Sequence, residues 1–238
     1  MTRILLIAII AYLLAGCNVK AVATGDVYQT LITSIKEADT ESFDKNIGMI
    51  VNIDSLIPFD ENGAYTLLGY ACKYKNLSAL QKLLERQADM AMAFEGEIYQ
   101  HDALYVAIDA EDQHIVEYIL RKGTDVNRIY TEDGYTALCA ACQRGNLSIA
   151  TKLLEHGADV NGAGDCGGDY ILYPLFSAVG SGNPEVVKLL LEHGADINAV
   201  NKQSETAFNL LSLVEHETAR KAILQLLQEW QRKSELKR

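Results

Sequence analysis

Residues 134–161 read GYTALCAACQRGNLSIATKLLEHGADVN and contain two short apolar patterns of helical period. In the first pattern, Leu138 and Cys142 are four residues apart and fall on one face of a helix. In the second pattern, Ile149 and Leu153 have the same spacing. The stretch therefore predicts two short helices, each with one apolar face.

A glycine ends each of the two patterns. Gly145 follows the first and Gly157 follows the second, and glycine adopts the left-handed conformation of a helix end without a steric penalty. Two helices of this length cannot bury their apolar faces against each other alone. The pair is therefore expected to stack on copies of itself.

The chain contains such copies on both sides of this stretch. Thr66–Met90, Asp102–Asn127 and Tyr173–Asn198 align with it without a gap, and a degraded copy runs from Thr206 to about Trp230. Equivalent positions of successive copies are 33 to 37 residues apart. A period in this range is typical of repeat proteins built from helix pairs.

The period, the T-A-L and Y-P-L openings and the GADVN and GADIN closings resemble the ankyrin repeat. The resemblance covers roughly residues 61 to 230 and implies an all-α ankyrin-repeat solenoid that binds other proteins. The family's proline is retained only at Pro174. Its capping histidine is replaced in the five copies by Gly69, Tyr105, Cys139, Phe176 and Asn209, which implies weaker hydrogen bonding between neighbouring helix starts.

The flanking segments are predicted to cap the stack. Residues 27–57 contain two weakly patterned helices, and residues 219–231 form an apolar-striped helix in which Trp230 is expected to cover the end of the core. The predicted organisation is a signal peptide (1–16), an acylated cysteine and tether (17–26), an ankyrin-repeat domain (27–230) and a polar tail (231–238). Within that domain we predict a cap (27–60), four repeats (about 61–96, 97–130, 131–167 and 168–200) and a C-terminal repeat or cap (201–230).

The first 17 residues, MTRILLIAIIAYLLAGC, have the pattern of a secretory signal peptide. A basic Arg3 precedes a short apolar run, and small residues precede Cys17. The run Leu14-Ala15-Gly16-Cys17 resembles a bacterial lipobox, which implies cleavage before Cys17 and acylation of its thiol. Asn18 at the next position implies delivery to the outer membrane. An ordinary signal peptide with a chance cysteine is the alternative.

The charge of the chain restricts its partners. The formal net charge is −11, and loss of Arg3 with the leader makes it −12. An acidic protein of this size is a poor nucleic-acid binder, whereas a basic protein partner would be attracted. No nucleic-acid partner is therefore expected.

The sequence supplies no recognisable catalytic set. It lacks the G-x-S-x-G, H-E-x-x-H and P-loop motifs, and its histidines have no evident nucleophile or carboxylate partner in the sequence. Gly162, Gly164 and Gly167 match G-x-G-x-x-G, but no buried strand precedes them, so a dinucleotide site is not predicted. We predict a non-enzymatic protein without a cofactor.

Four cysteines follow Cys17. Cys72 and Cys142 are equivalent positions two repeats apart, too distant for a disulfide. Cys139 and Cys142 could share a metal ion, but no further ligands complete a site, so burial in the core is the preferred interpretation. Cys166 is expected in a loop as a free thiol, and no metal site is predicted.

The resemblance implies that a partner binds the concave side of the stack, at the hairpin tips and the exposed positions of the first helix of each repeat. Five of the eleven tyrosines after the leader fall at these positions, together with several carboxylates, which indicates a tyrosine and carboxylate groove for a basic protein surface. The predicted partner-binding residues are Tyr65, Lys73, Tyr74, Ile98, Tyr99, His101, Asp109, Glu132, Asp133, Tyr135, Gln143, Arg144, Asp169, Tyr170, Leu172, Lys202, Gln203 and Glu205.

These features lead to two functional hypotheses. The first is a lipid-anchored inhibitor of the immunity type, which neutralises a toxic enzyme such as a phospholipase in the bacterial envelope. It would sit at the periplasmic face of the outer membrane. The second is an envelope scaffold that organises periplasmic protein complexes.

Overall fold

Four complete pairs of short helices stack in sequence order in the computed structural model, which describes residues 23–60, 63–96 and 100–236. The pairs are α3 (Leu67–Lys73) and α4 (Leu77–Glu85), α5 (Ala103–Asp109) and α6 (Gln113–Arg121), α7 (Ala137–Gln143) and α8 (Leu147–Glu155), and α9 (Pro174–Ser181) and α10 (Pro184–Glu192). They are preceded by α1 (Ala23–Glu37), α2 (Thr40–Asn46) and a 3-10 turn (Ile47–Met49), and followed by a 3-10 helix (Asn209–Leu213) and α11 (Glu217–Glu235).

Short polar side chains define where the first helix of each pair begins. The side chains of Thr66, Asp102 and Thr136 accept hydrogen bonds from backbone N–H groups three residues later. This satisfies donors that a helix start otherwise leaves without partners. In the fourth pair Tyr173 makes no such bond, and Pro174 at the first helical position has no N–H to satisfy. The predicted repeat openings are therefore the structural helix starts.

The second helices begin at a repeated polar cap. Asn76, Asp112, Asn146 and Asn183 each accept a bond from the first turn of the following helix. Two of these side chains also join repeats, because Asn76 donates to the carbonyl of Ile35 at 2.9 Å and Asn183 donates to that of Gly145 at the same distance.

The apolar faces form one continuous core along the stack. Leu83, Ile119, Leu153 and Leu190 occupy equivalent positions in the second helices, and all are 0% exposed. Asparagine side chains in the loops that end two of the repeats add polar links to the next repeat. Asn127 Oδ1 accepts from the Asp159 N–H, and Asn161 Oδ1 accepts from the Asp196 N–H, both at 2.8 Å. The asparagine that closes GADVN thus links its repeat to the next one.

A small antiparallel sheet, which the sequence did not predict, joins the hairpin tips at the N-terminal end. Its strands are β1 (Ile57–Asp60), β2 (Gly63–Tyr65), β3 (Phe94–Gly96) and β4 (Gln100–His101), paired in that order. Gly69 makes room for this arrangement, because a Cβ there would lie 2.0 Å from the carbonyl oxygen of Ala93, immediately before β3. The glycine at the family's histidine position thus allows the sheet to approach α3.

The two ends of the stack differ from the internal repeats. Helix α1 begins at Ala23, inside the segment 17–26 that was predicted to be a tether. In the degraded last copy the first helix is replaced by the 3-10 helix. Trp230 of α11 donates its indole N–H to the carbonyl of Leu191 at 3.1 Å, so it packs against α10 as predicted. None of the helices described here is long and apolar enough to cross a membrane.

Candidate partner-binding surface

The structure places the described members of the predicted set in two groups on neighbouring repeats. One group surrounds a row of aromatic rings from the N-terminal cap to repeat 3, and the other occupies the hairpin tips from repeat 3 to the last copy. Ile98, Tyr99 and Cys17 lie outside the described residues. The individual assignments stay predictions, since contact with a partner has not been measured.

We call this row of aromatic rings the aromatic surface; of its six rings, five are partly buried and one is exposed. Neighbouring ring centroids along the row are 5.5, 4.7, 5.7, 3.8 and 6.3 Å apart. Four of these distances lie in the range in which aromatic rings attract one another, and His101 stacks on Tyr105 at the shorter distance of 3.8 Å. The members, in order, are Phe59, Tyr65, Phe94, His101, Tyr105 and Tyr135.

Polar side chains border the aromatic surface and fix its rings. Lys73 Nζ lies 4.3 Å from the centre of the Phe59 ring and donates to the Tyr65 hydroxyl at 3.4 Å. The Tyr135 hydroxyl donates to Gln143 Oε1 at 2.6 Å. Tyr74 stacks on the buried Tyr70 at 6.0 Å. These contacts restrict the rotation of the rings before any partner arrives.

Arg144 and Asp109 form an ion pair across repeats 2 and 3. The Asp109 carboxylate is therefore already compensated by a guanidinium. Within the predicted tyrosine and carboxylate groove, Asp109 is thus part of a paired charge beside aromatic rings.

A buried polar cluster supports the centre of the aromatic surface. Asp102, 2% exposed, accepts from the Tyr130 hydroxyl at 2.9 Å and lies 3.6 Å from Arg128. Burial raises the pKa of the Asp102 carboxyl, while its hydrogen bonds and Arg128 oppose that rise. Burial and the Asp102 charge raise the pKa of the Tyr130 hydroxyl, so it remains a donor. The cluster holds Tyr130 edge-on to Tyr105 at 4.9 Å.

The second group forms what we call the loop surface, which contains Glu132, Asp133, Asp169, Tyr170, Leu172, Lys202, Gln203 and Glu205. The long loop of residues 162–173 is bonded to the preceding tip, where Asp133 accepts from the N–H groups of Tyr170 and Leu172. It is also bonded to the following tip, where Lys202 donates to the Gly168 carbonyl at 2.6 Å and Gln203 donates to that of Asp169 at 2.9 Å.

Close packing explains the glycine at position 168. A Cβ there would lie 2.7 Å from the carbonyl oxygen of Glu132 and 2.2 Å from Asp133 Oδ1. The loop is therefore a fixed platform. It exposes Tyr170, whose exposed fraction is 52%, and Ile129 and Val200 of other tips are exposed apolar residues as well.

The cysteines take the positions predicted for them. Cys72, Cys139 and Cys142 are 0% exposed, and burial raises the pKa of each thiol. Cys139, at the family's histidine position, donates to the Leu172 carbonyl at 3.5 Å. Its side chain thus connects repeat 3 to the loop surface. Cys166 is half-buried in the long loop as a free thiol.

Phe59, Phe94 and Tyr105 belong to the aromatic surface but were absent from the predicted set. Tyr105 was read only as a substitute for the capping histidine. Phe59 and Phe94 reach the surface through β1 and β3, in which buried and exposed positions do not alternate, so the sequence contained no periodic signal for either strand.

The family model for ankyrin repeats in three copies matches residues 68–164 and 128–201, which together cover more than half of the chain. The chain belongs to the ankyrin-repeat family. The matched range includes all four complete helix pairs except the first residue of α3, so the helix-pair stack and the family agree.

Similar stretches occur in proteins of an animal, a virus and a plant. The chain is 31% identical over 108 residues to the B-cell lymphoma 3 protein homolog of Mus musculus, covering 45% of this chain and 24% of the relative. It is 33% identical over 107 residues to a putative ankyrin repeat protein of Acanthamoeba polyphaga mimivirus, covering 45% and 14%. It is 43% identical over 56 residues to a potassium channel of Oryza sativa, covering 24% and 6%. The chain thus spans a quarter or less of the length of these curated relatives, and the similarity is confined to a part of each.

His101 gives the aromatic surface a testable pH dependence. The pKa of His101 is lowered from 6.5 to about 4, mainly by burial and also by Arg128, while Asp109 opposes the shift. Between those pH values the unfolded chain binds more protons than the folded chain, so the stability contribution is present above pH 6.5 and is lost as the pH falls towards 4. We expect His101→Phe, which keeps a stacking ring, to reduce this loss by on the order of 1 kcal/mol, allowing for partial exposure.

Urea unfolding of both proteins at pH 7 and pH 4.5 measures the difference. Asp102, whose raised pKa acts with the opposite sign, is present in both proteins and cancels in the comparison. His114→Phe, at an exposed position of α6, is the matched control. An equal acid sensitivity of wild type and His101→Phe would show that His101 does not titrate as described.

Proposed function

We propose that this protein is a non-enzymatic, membrane-anchored binding module that captures another protein on its aromatic and loop surfaces. The observation that carries the proposal is the continuous row of rings from Phe59 to Tyr135, held in place by neighbouring side chains. Rigid aromatic side chains provide large contact areas at a small entropic cost, and they dominate many protein interfaces.

In its specific form, the proposal is an inhibitor of the immunity type. It binds and neutralises a toxic effector enzyme, such as a phospholipase, in the bacterial envelope. Acylation at Cys17 would hold the module at the periplasmic face of the outer membrane. The acidic net charge of −11 favours a partner with a basic surface, and the exposed side chains of Glu132 and Asp169 are available to such a partner.

An envelope scaffold is the second candidate. The loop surface favours it, because its bonded platform joins the tip of repeat 3 to that of the last copy, whereas five of the six rings of the aromatic surface precede repeat 3. Two separate surfaces would allow two partners to bind at the same time.

Quantitative capture distinguishes the two candidates. Tagged protein, produced with its own leader and extracted from membranes, is expected to retain one partner near equal stoichiometry. Addition of purified protein should abolish the partner's enzymatic activity. Several substoichiometric partners with unaffected activities would support the scaffold.

Survival in competition tests the proposed biological role. A deletion strain is expected to lose viability beside sibling cells that deliver the effector, and the intact gene should restore it. A Cys17→Ser gene serves as the control for anchoring, since its product keeps the binding surfaces. Normal survival of the deletion strain would contradict the inhibitor role.

A further inference from the structure

Exposed apolar side chains are concentrated in one short stretch at the N-terminal end of the stack. Met49 is 57% exposed, Val51 is 89% exposed and Leu56 is 36% exposed. Single exposed apolar residues are ordinary on soluble proteins, but a group of them indicates contact with another apolar surface. We call residues 49–56 the N-terminal apolar loop.

Hydrogen bonds hold this loop in a defined conformation. The Tyr28 hydroxyl donates to the Asn52 carbonyl at 2.7 Å and forms a second hydrogen bond with the Ser55 hydroxyl at 3.1 Å. Asn52 Oδ1 accepts from the Asp54 N–H at 3.0 Å. Val51 is therefore exposed on a loop whose conformation is fixed by hydrogen bonds.

The loop has little charge to oppose contact with an apolar phase. Asp54 is its one ionisable residue, and its carboxylate accepts a hydrogen bond from the Asp89 N–H at 2.9 Å. Ile50 and Ile53 pack against the core and hold the loop against the stack. The remaining outward-facing side chains include the three exposed apolar residues.

Chain length places the loop near the proposed lipid anchor. Five residues lie between Cys17 and Ala23, the first residue of α1, so the six steps from one to the other span at most about 20 Å. Tyr28, which binds the loop, is five residues further along the helix, or about 8 Å. The contact between Tyr28 and the loop therefore lies within about 30 Å of Cys17, which is about the thickness of a bilayer's hydrocarbon core.

We propose that the N-terminal apolar loop contacts the lipid bilayer and orients the solenoid on it, with Met49, Val51 and Leu56 in the interfacial region. This inference rests on the lipid anchoring in the proposed function. A lipid chain on Cys17 alone limits the distance of the domain from the membrane but leaves the domain free to rotate. A second, apolar contact on the same end of the stack restricts its rotation, so that the aromatic and loop surfaces keep a constant direction relative to the bilayer.

Site-specific fluorescence tests the contact. The full chain is produced in a bacterial host, purified with its lipid and reconstituted into vesicles of phosphatidylethanolamine and phosphatidylglycerol. A Cys166→Ser background removes the half-buried thiol, and the remaining described thiols are fully buried. A polarity-sensitive fluorophore is then attached at Val51→Cys. The matched control is Leu213→Cys, 61% exposed near the other end of the stack.

We expect the label at position 51 to shift its emission to the blue on vesicles and to be quenched by lipids that carry a spin label, whereas the label at position 213 does neither. Mass spectrometry of the same sample reports acylation of Cys17. Acylated protein without a shift or quenching at position 51 would overturn the loop contact and leave the anchor intact. Protein without an acyl chain would overturn the anchoring itself.

A shift at position 51 in the absence of vesicles would also overturn the proposal. If it grew with protein concentration, a second copy would cover the loop. If it were independent of concentration, another segment of the same chain would do so.

Discussion

Leu153→Ala is expected to lower the free energy of unfolding by roughly 2 to 5 kcal/mol. Leu153 is 0% exposed and lies on α8, which packs against α6, α7 and α10. Removal of three side-chain carbons leaves a cavity between three repeats, since the neighbouring backbone is fixed by helix caps and cannot close it. In a stack that is stabilised by contacts between adjacent repeats, loss at a central position weakens two interfaces together.

Urea unfolding followed by circular dichroism measures this loss. Leu154→Ala is the matched control, because it makes the same substitution at the next residue of the same helix, where the side chain is only half-buried. We expect Leu154→Ala to lower the free energy of unfolding by clearly less than Leu153→Ala does. Equal losses for the two variants would show that burial at position 153 does not determine the stability of the central repeat. A change in the slope against urea would indicate that the repeats no longer unfold together.

The sequence was sufficient to predict the helix pairs because each repeat carries the same local signals. Thr66 and Thr136 cap first helices, Asn76 and Asn146 cap second helices, and each position acts on backbone atoms within three residues of itself. The left-handed positions were predictable only where glycine marks them. Lys75 and Glu111 adopt the same conformation, with φ values of 57° and 55°, at the positions that correspond to Gly145.

The sheet and the aromatic surface were harder to predict from the sequence, because both depend on contacts between repeats. The pairing of Tyr65 with Phe94, and of Phe94 with His101, joins residues whose strands are only two or three residues long. Strands of this length carry almost no periodicity. The role of Gly69 is similarly invisible in the sequence, since it depends on the approach of the Ala93 carbonyl from the neighbouring loop.

The pairing of charges on the proposed binding surface was also not predictable from the sequence. Composition predicts an acidic protein, and Asp109 was counted among the carboxylates available to a partner. Its pairing with Arg144 joins residues 35 positions apart in adjacent repeats, an arrangement that net charge cannot reveal.

Replacement of both Tyr65 and Tyr135 by Ala is expected to weaken binding of the captured partner by more than roughly 2 kcal/mol, which is about thirtyfold in Kd. The two rings lie in repeats 1 and 3, at separate points of the aromatic surface, and both are partly exposed. Tyr135 takes part in a hydrogen bond with Gln143, so it is presented in one orientation and loses little entropy on binding.

Titration calorimetry with the purified partner measures the change, and circular dichroism verifies that the double variant stays folded. Tyr118→Ala is the matched control, because that tyrosine is also half-buried but lies on the second helix of repeat 2, beside Lys122. An unchanged Kd for the folded double variant would place the partner elsewhere, and the loop surface around Tyr170 would be the next position to test. A loss confined to the double variant would assign recognition to the aromatic surface, because a general effect of removing half-buried tyrosine would appear in the control as well.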